Sequence, residues 1–143
     1  MFAGLALHRG MSSPLSIALS GMAAAGLRLQ VSAANVANMR TSGPLPGADP
    51  AGFAPAYVPL RVNQVEAGDG GTSAATAPVS PSFVAAFDPG APFADHNGMV
   101  AAPNVDLADE LVQQVLARYA FVANAKIMQA DLQMTRTLID ISA

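Results

Sequence analysis

The sequence predicts a mainly α protein. A long N-terminal and a long C-terminal helix pack antiparallel, joined by a Pro/Gly-rich middle segment with a few short β-strands. Three observations carry this reading. From Val105 to Ile141 the apolar residues Val112, Leu116, Tyr119, Ala123, Ile127, Ala130, Met134, Leu138 and Ile141 recur in steps of three and four, with neither Pro nor Gly between them, a spacing near the helical period of about 3.6. A second stripe, Leu15, Leu19, Met22, Gly26, Leu29, Ala33 and Val36, repeats in steps of four and three near the other end, the pattern of coiled-coil packing. Ten of the eleven prolines and eight of the twelve glycines fall within residues 41–104, so the long regular elements lie outside that segment.

Taken in order, residues 1–12 form a tail or an over-extended start, since Met11-Ser12-Ser13-Pro14 itself reads as a natural beginning. Residues 13–40 form the first helix, with Ser13 as N-cap and Pro14 at the first helical position, where its missing N–H does no harm. Asn35-Val36-Ala37-Asn38 ends it, because Asn tolerates the left-handed conformation found at helix ends. Residues 41–104 are loop-rich with short β elements. Tyr57–Val65 alternates as an edge strand weakened by Pro59, Ser82–Phe87 is a second short strand, and Ala67–Ala77 is a flexible Gly/Ser/Thr/Ala loop. Residues 105–143 form the last helix, with Asn104 or Asp106 capping it and Asp106, Asp109 and Glu110 at the positive end of its dipole. Leu107, Leu111, Val115 and Val122 give that helix a second apolar edge. Two apolar edges need two sets of neighbours, the N-terminal helix and another subunit.

Composition narrows the function. Charged residues are 12% and apolar ones 52% of the 143, about half the usual charge content of a soluble domain. A chain of this kind exposes neutral apolar surface, as assembly subunits do. The net charge of −3 gives nucleic acid no electrostatic footprint. With no cysteine, disulfides and thiolate metal sites are excluded. Residues 10–27 are uncharged, and Leu15–Ala25 has the character of a signal-peptide core or a short membrane span. Four serines and Gly21 dilute that stretch and the periodicity runs on to Val36, so a packed helix without stable membrane insertion is expected.

No catalytic, cofactor-binding or metal constellation stands out. His8 and His96 form no ligand pair, the phosphate-binding motifs are absent, and Asp95 beside His96 is adjacency without triad geometry. The seven methionines include Met22 and Met134 at stripe positions, where core packing accounts for them. A small hydrolase using Asp95 and His96 would lose activity in His96→Ala. A structural role predicts that this change is nearly silent.

Three segments resemble the flagellar basal-body rod protein family. Ala18 to Asn38, closing on Asn35-Val36-Ala37-Asn38 with Thr41 after it, is similar to the N-terminal signature of rod, hook and hook-associated proteins. Phe87-Asp88-Pro89-Gly90-Ala91-Pro92-Phe93-Ala94-Asp95, with Gly98-Met99-Val100 and Pro103-Asn104-Val105, resembles the stretch before the last helix of the family's short proximal-rod members. Glu110-Leu111-Val112, Phe121, Asn124 and the run to Leu138 resemble the C-terminal helix. Two departures stand out. Tyr119 occupies the place where the family has Arg, with Arg118 one position early, and Gly71–Ala77 lacks the family's Gly-Val-x-Val strand.

The resemblance implies a structural subunit of the proximal rod. Such a protein is exported through the flagellar type III apparatus without a cleaved signal and assembles helically with itself and other rod subunits through its terminal helices. The export gate and basal-body ring proteins are further candidate partners. A helical adaptor of the same secretion system that stays outside the rod is the alternative. Residues expected to pack are Leu19, Met22, Leu29 and Val36 on the first helix and Val112, Leu116, Tyr119, Ile127, Met134 and Leu138 on the second. Asn35, Asn38 and Asn124 are polar groups placed to fix register.

Overall fold

The computed structural model describes residues 13–48, 52–68 and 70–142. The tail or alternative start expected at residues 1–12 lies outside them. The element order is α1 (Pro14–Asn38), β1 (Leu60–Glu66), β2 (Thr72–Pro78), β3 (Phe83–Phe87), β4 (Met99–Pro103) and α2 (Leu107–Ser142).

Local chemistry sets the helix ends. The Ser16 N–H donates to Ser13 Oγ at 3.2 Å, and Pro14 follows the cap. At the other end of α1 the expected left-handed residue is absent. Met39 closes the helix in the right-handed region at φ −60°. Asn38 stays helical, its side-chain amide donating to the Ala34 carbonyl, while Thr41 Oγ1 donates to the Asn38 carbonyl. Those side-chain bonds and the following Pro44 terminate the helix without Asn having to leave the right-handed region. At the start of α2 the cap is Asp106, whose Oδ1 accepts the N–H groups of Ala108 and Asp109 at 2.7 and 3.2 Å. Asn104 instead ties the approach to α2 back to β3, donating its backbone N–H to Ser82 and its side-chain amide to Pro81.

The middle segment is more ordered than its composition predicts. β1 and β2 pair antiparallel from Leu60↔Pro78 to Glu66↔Thr72, and β3 and β4 pair antiparallel from Phe83↔Pro103 to Phe87↔Met99. The expected edge strand begins at Leu60 rather than Tyr57. Pro59, with no N–H to give, sits buried before the ladder and accepts the Val79 N–H through its carbonyl at 2.9 Å. The flexible loop expected over Ala67–Ala77 is corrected to a turn followed by β2. Thr72-Ser73-Ala74-Ala75-Thr76-Ala77-Pro78 has no apolar alternation to reveal it. It is held by the backbone ladder and by the Thr72 N–H donating to Ser20 Oγ on α1 at 3.1 Å. β4 also carries no alternation, because Val100 and Ala101 are both buried. Ala101 exchanges two backbone hydrogen bonds with Gly43, at 2.9 and 3.0 Å. Gly43 is required there: a Cβ would lie 2.7 Å from the Pro55 carbonyl carbon and closer still to the Ala56 nitrogen.

The core is thin and made of small residues. Among the described residues its apolar members are Ala18, Ala24, Ala25 and Val31 from α1, Val100 and Ala101 from β4, and Ala117 from α2. α1 packs extensively on α2 and also carries the β1–β2 hairpin. The accessible surface is 10073 Å² for a mass of 14.5 kDa, against about 6,900 Å² expected of a compact monomer of that mass.

Candidate functional site

The helix pair is assembled on its small and polar faces. Ala18, Ala25 and Ser32 are buried at seven-residue intervals along α1. Across from them lie Glu110, Ala117 and Asn124, again seven apart on α2. Gly21 fits against Asn124, since a Cβ at Gly21 would stand 2.6 Å from Asn124 Oδ1. Small residues let the two backbones approach, and the seven-residue repeat keeps them in register.

One end of this interface is polar. Ser32 Oγ donates to the Glu110 carbonyl at 3.0 Å. Asn35, only 2% exposed, uses its whole side-chain amide. Its Nδ2 donates to Glu110 Oε1 at 2.6 Å and to the Leu60 carbonyl at 2.8 Å. Its Oδ1 accepts the Leu60 N–H and the Tyr57 hydroxyl, both at 3.1 Å. Burial, and then the nearby Glu110 carboxylate, push the Tyr57 phenol above its ordinary range. The cluster edges a shallow cavity of about 230 Å³ to which Arg28 and Arg61 also contribute.

The large apolar residues are turned the other way. Of the ten expected to pack, none is buried within the chain. Leu19 and Leu29 are exposed on α1, and Met22 and Val36 are half-buried. On α2, Val112, Leu116, Tyr119, Ile127, Met134 and Leu138 are all exposed, Tyr119 at 71% and Leu138 at 68%. The second apolar edge, Leu107, Leu111, Val115 and Val122, is exposed as well. Leu29, Leu111, Val115 and Phe121 flank an open groove of about 630 Å³ between the helices, floored by Ala25, Gly26 and Ala117. Arg118, the residue displaced by one from the family's Arg position, lines this groove, while Tyr119 points to solvent.

The three asparagines have different surroundings. Asn35 bridges elements as described. Asn38 and Asn124 bond the carbonyls four residues back, Ala34 and Ala120, and Asn124 also lies against Gly21. Sequence reasoning missed Ser32 and Tyr57 as partners in the interface. The available signal was the seven-residue repeat of small residues running beside the apolar stripe on α1.

The Asp95-His96 pair is built as a turn. Asp95 Oδ1 accepts the N–H groups of Asn97 and Met99, both at 2.8 Å. These bonds, that of Met99 foremost, hold the carboxyl below its ordinary range. His96 is exposed and its Nε2 lies 3.3 Å from the Asn97 side-chain amide. Both backbone bonds fall on Oδ1 of Asp95, and the imidazole nitrogen meets Asn97 rather than Asp95.

Comparison with known proteins finds sequence relatives over both helices. A family model described as "Flagella basal body rod protein" matches residues 15–44, which include α1. One described as "Flagellar basal body rod FlgEFG protein C-terminal" matches residues 96–141, covering β4 and nearly all of α2. The flagellar basal-body rod protein FlgC of Agrobacterium fabrum is 30% identical over 131 residues, 92% of this chain and 94% of that protein. FlgC of Salmonella typhimurium is 32% identical over 120 residues, 82% of this chain and 87% of that protein. With both helices matched and relatives aligned over most of their length, the chain belongs to the flagellar basal-body rod protein family and is similar to its member FlgC.

Proposed function

We propose that the protein is a structural subunit of the flagellar basal-body rod, whose two helices run antiparallel and seat their outward apolar faces against neighbouring rod subunits in a helical array. The observation that carries this is the exposure of Val112, Leu116, Tyr119, Ile127, Met134 and Leu138 along one long helix. Fully burying an exposed Val, Leu, Ile or Met side chain is worth about 1.5–3 kcal/mol, and these residues, each more than half exposed, leave much of that gain to their neighbours. The antiparallel direction is supported by the order of contacts: Gly21 lies at Asn124, whereas Ser32 and Asn35, further along α1, bond to Glu110, further back on α2.

Folding is coupled to assembly. Among the described residues the buried apolar core is five alanines and two valines, and so the free subunit is only marginally stable and easily kept unfolded for type III export without a cleaved signal. The assembled rod crosses the periplasm and meets the export gate below and the ring proteins around it. The role asks for no bond-making chemistry. The test is an in-frame deletion in the source organism, with electron microscopy of isolated basal bodies. Rings without rod or hook, rescued by the wild-type gene and not by Leu116→Asp, are expected. Intact flagella in the deletion strain would overturn the rod role, and rescue by Leu116→Asp would overturn the part given to the exposed face.

A further inference from the structure

We infer that Asn35 is a conformational coupler, a single carboxamide through which the crossing of the two helices and the attitude of the β1–β2 hairpin are set together. Its four hydrogen bonds reach two separate segments: Glu110 on α2, and the stretch entering β1, through both backbone groups of Leu60 and the hydroxyl of Tyr57 just before it. Each bond uses a donor or acceptor that no other side chain of similar size offers in this arrangement. Aspartate has no N–H for Glu110 or the Leu60 carbonyl, and leucine has neither donor nor acceptor.

The hairpin is attached to α1 at a second point, where the Thr72 N–H meets Ser20 Oγ near the turn end of the hairpin. Asn35 lies 15 residues further along the same helix and holds the opposite end. The hairpin is thus fixed along α1 at both ends, and α2 joins at the Asn35 end through Glu110. A rotation of α2 that draws Glu110 away pulls on the same amide nitrogen that holds Leu60. Any change in helix crossing is therefore transmitted to the hairpin. The inference concerns the free chain and does not depend on the rod reading.

The chain has no cysteine, so spin labels can be placed at will. Distances are measured by pulsed electron resonance in the full chain between labels at Asn63 on the hairpin and Gln133 on α2, and between Asn63 and Arg28 on α1. Both distributions are expected to be single and narrow in the wild-type background. Glu110→Gln keeps the Oε1 acceptor and is expected to leave both unchanged. Glu110→Ala should shift or broaden the hairpin-to-α2 distance while the hairpin-to-α1 distance holds. Asn35→Asp should broaden both, at unchanged helix content by circular dichroism. If Asn35→Asp costs the fold, the Glu110 pair still decides. A Glu110→Ala variant with both distributions intact, or an Asn35→Asp variant that folds and keeps both, overturns the coupling.

Discussion

Gly21 and Asn124 fit as a pair, and the fit makes a measurable demand. Replacing Gly by Ala within a helix ordinarily gains about 1 kcal/mol from propensity. Here the new methyl would lie 2.6 Å from Asn124 Oδ1, so the carboxamide must turn away and give up its bond to the Ala120 carbonyl. In urea unfolding Gly21→Ala should therefore gain less than that propensity term in the wild-type background, and should recover it in an Asn124→Ala background. Asp95 supplies a pH-dependent test. Its carboxyl is held low because the folded turn donates two backbone N–H groups to the ionised form. A depressed folded value means that the stabilisation is present above the unfolded value and lost as pH falls through the folded one. The amide resonances of Asn97 and Met99 should move together at acid pH, and that movement should vanish in Asp95→Ala. Asn35 stood out in the sequence as a polar group on an otherwise apolar helix. Its partners did not, because Leu60 and Glu110 are 25 and 75 residues away and spacing carries no information across that distance.

At the scale of elements, α1 and α2 were legible to within a residue or two, since Ser13-Pro14 and Asp106 mark their beginnings and a period near 3.6 fills them. Their large apolar stripes were legible too. What periodicity cannot tell is which stripe the chain uses for itself. The intrachain burial went to Ala18, Ala25 and Ser32 on α1 and Ala117 on α2, side chains that hydropathy weighs lightly. β2 and β4 escaped for a related reason: their pairing rests on backbone hydrogen bonds, and neither alternates. The two faces of α2 predict opposite phenotypes for adjacent residues. Ala117→Leu should overpack the helix contact and destabilise the free subunit by about 1–3 kcal/mol. Leu116→Asp, one residue earlier and half exposed at 53%, should leave the free subunit's helix content and unfolding midpoint nearly unchanged while abolishing motility.

The whole molecule exposes 10073 Å², some three thousand more than the about 6,900 Å² of a compact chain of its mass. It should melt broadly and at low temperature when dilute, and its apparent stability should rise with protein concentration as subunits cover one another. Calorimetry across a hundredfold range of concentration reads this directly; a sharp, concentration-independent transition at high temperature would contradict it. The placement of small residues inward and large apolar residues outward also bears on how the gene tolerates change. In most proteins solvent-facing positions are the permissive ones and substitutions there are close to neutral. Along α2 that relation should be reversed. A scan of all substitutions scored by swimming should find Tyr119, Ile127 and Leu138 among the least forgiving sites despite their exposure. Charged replacements there would give a more soluble chain that no longer builds anything, so selection for solubility and selection for motility pull this surface in opposite directions.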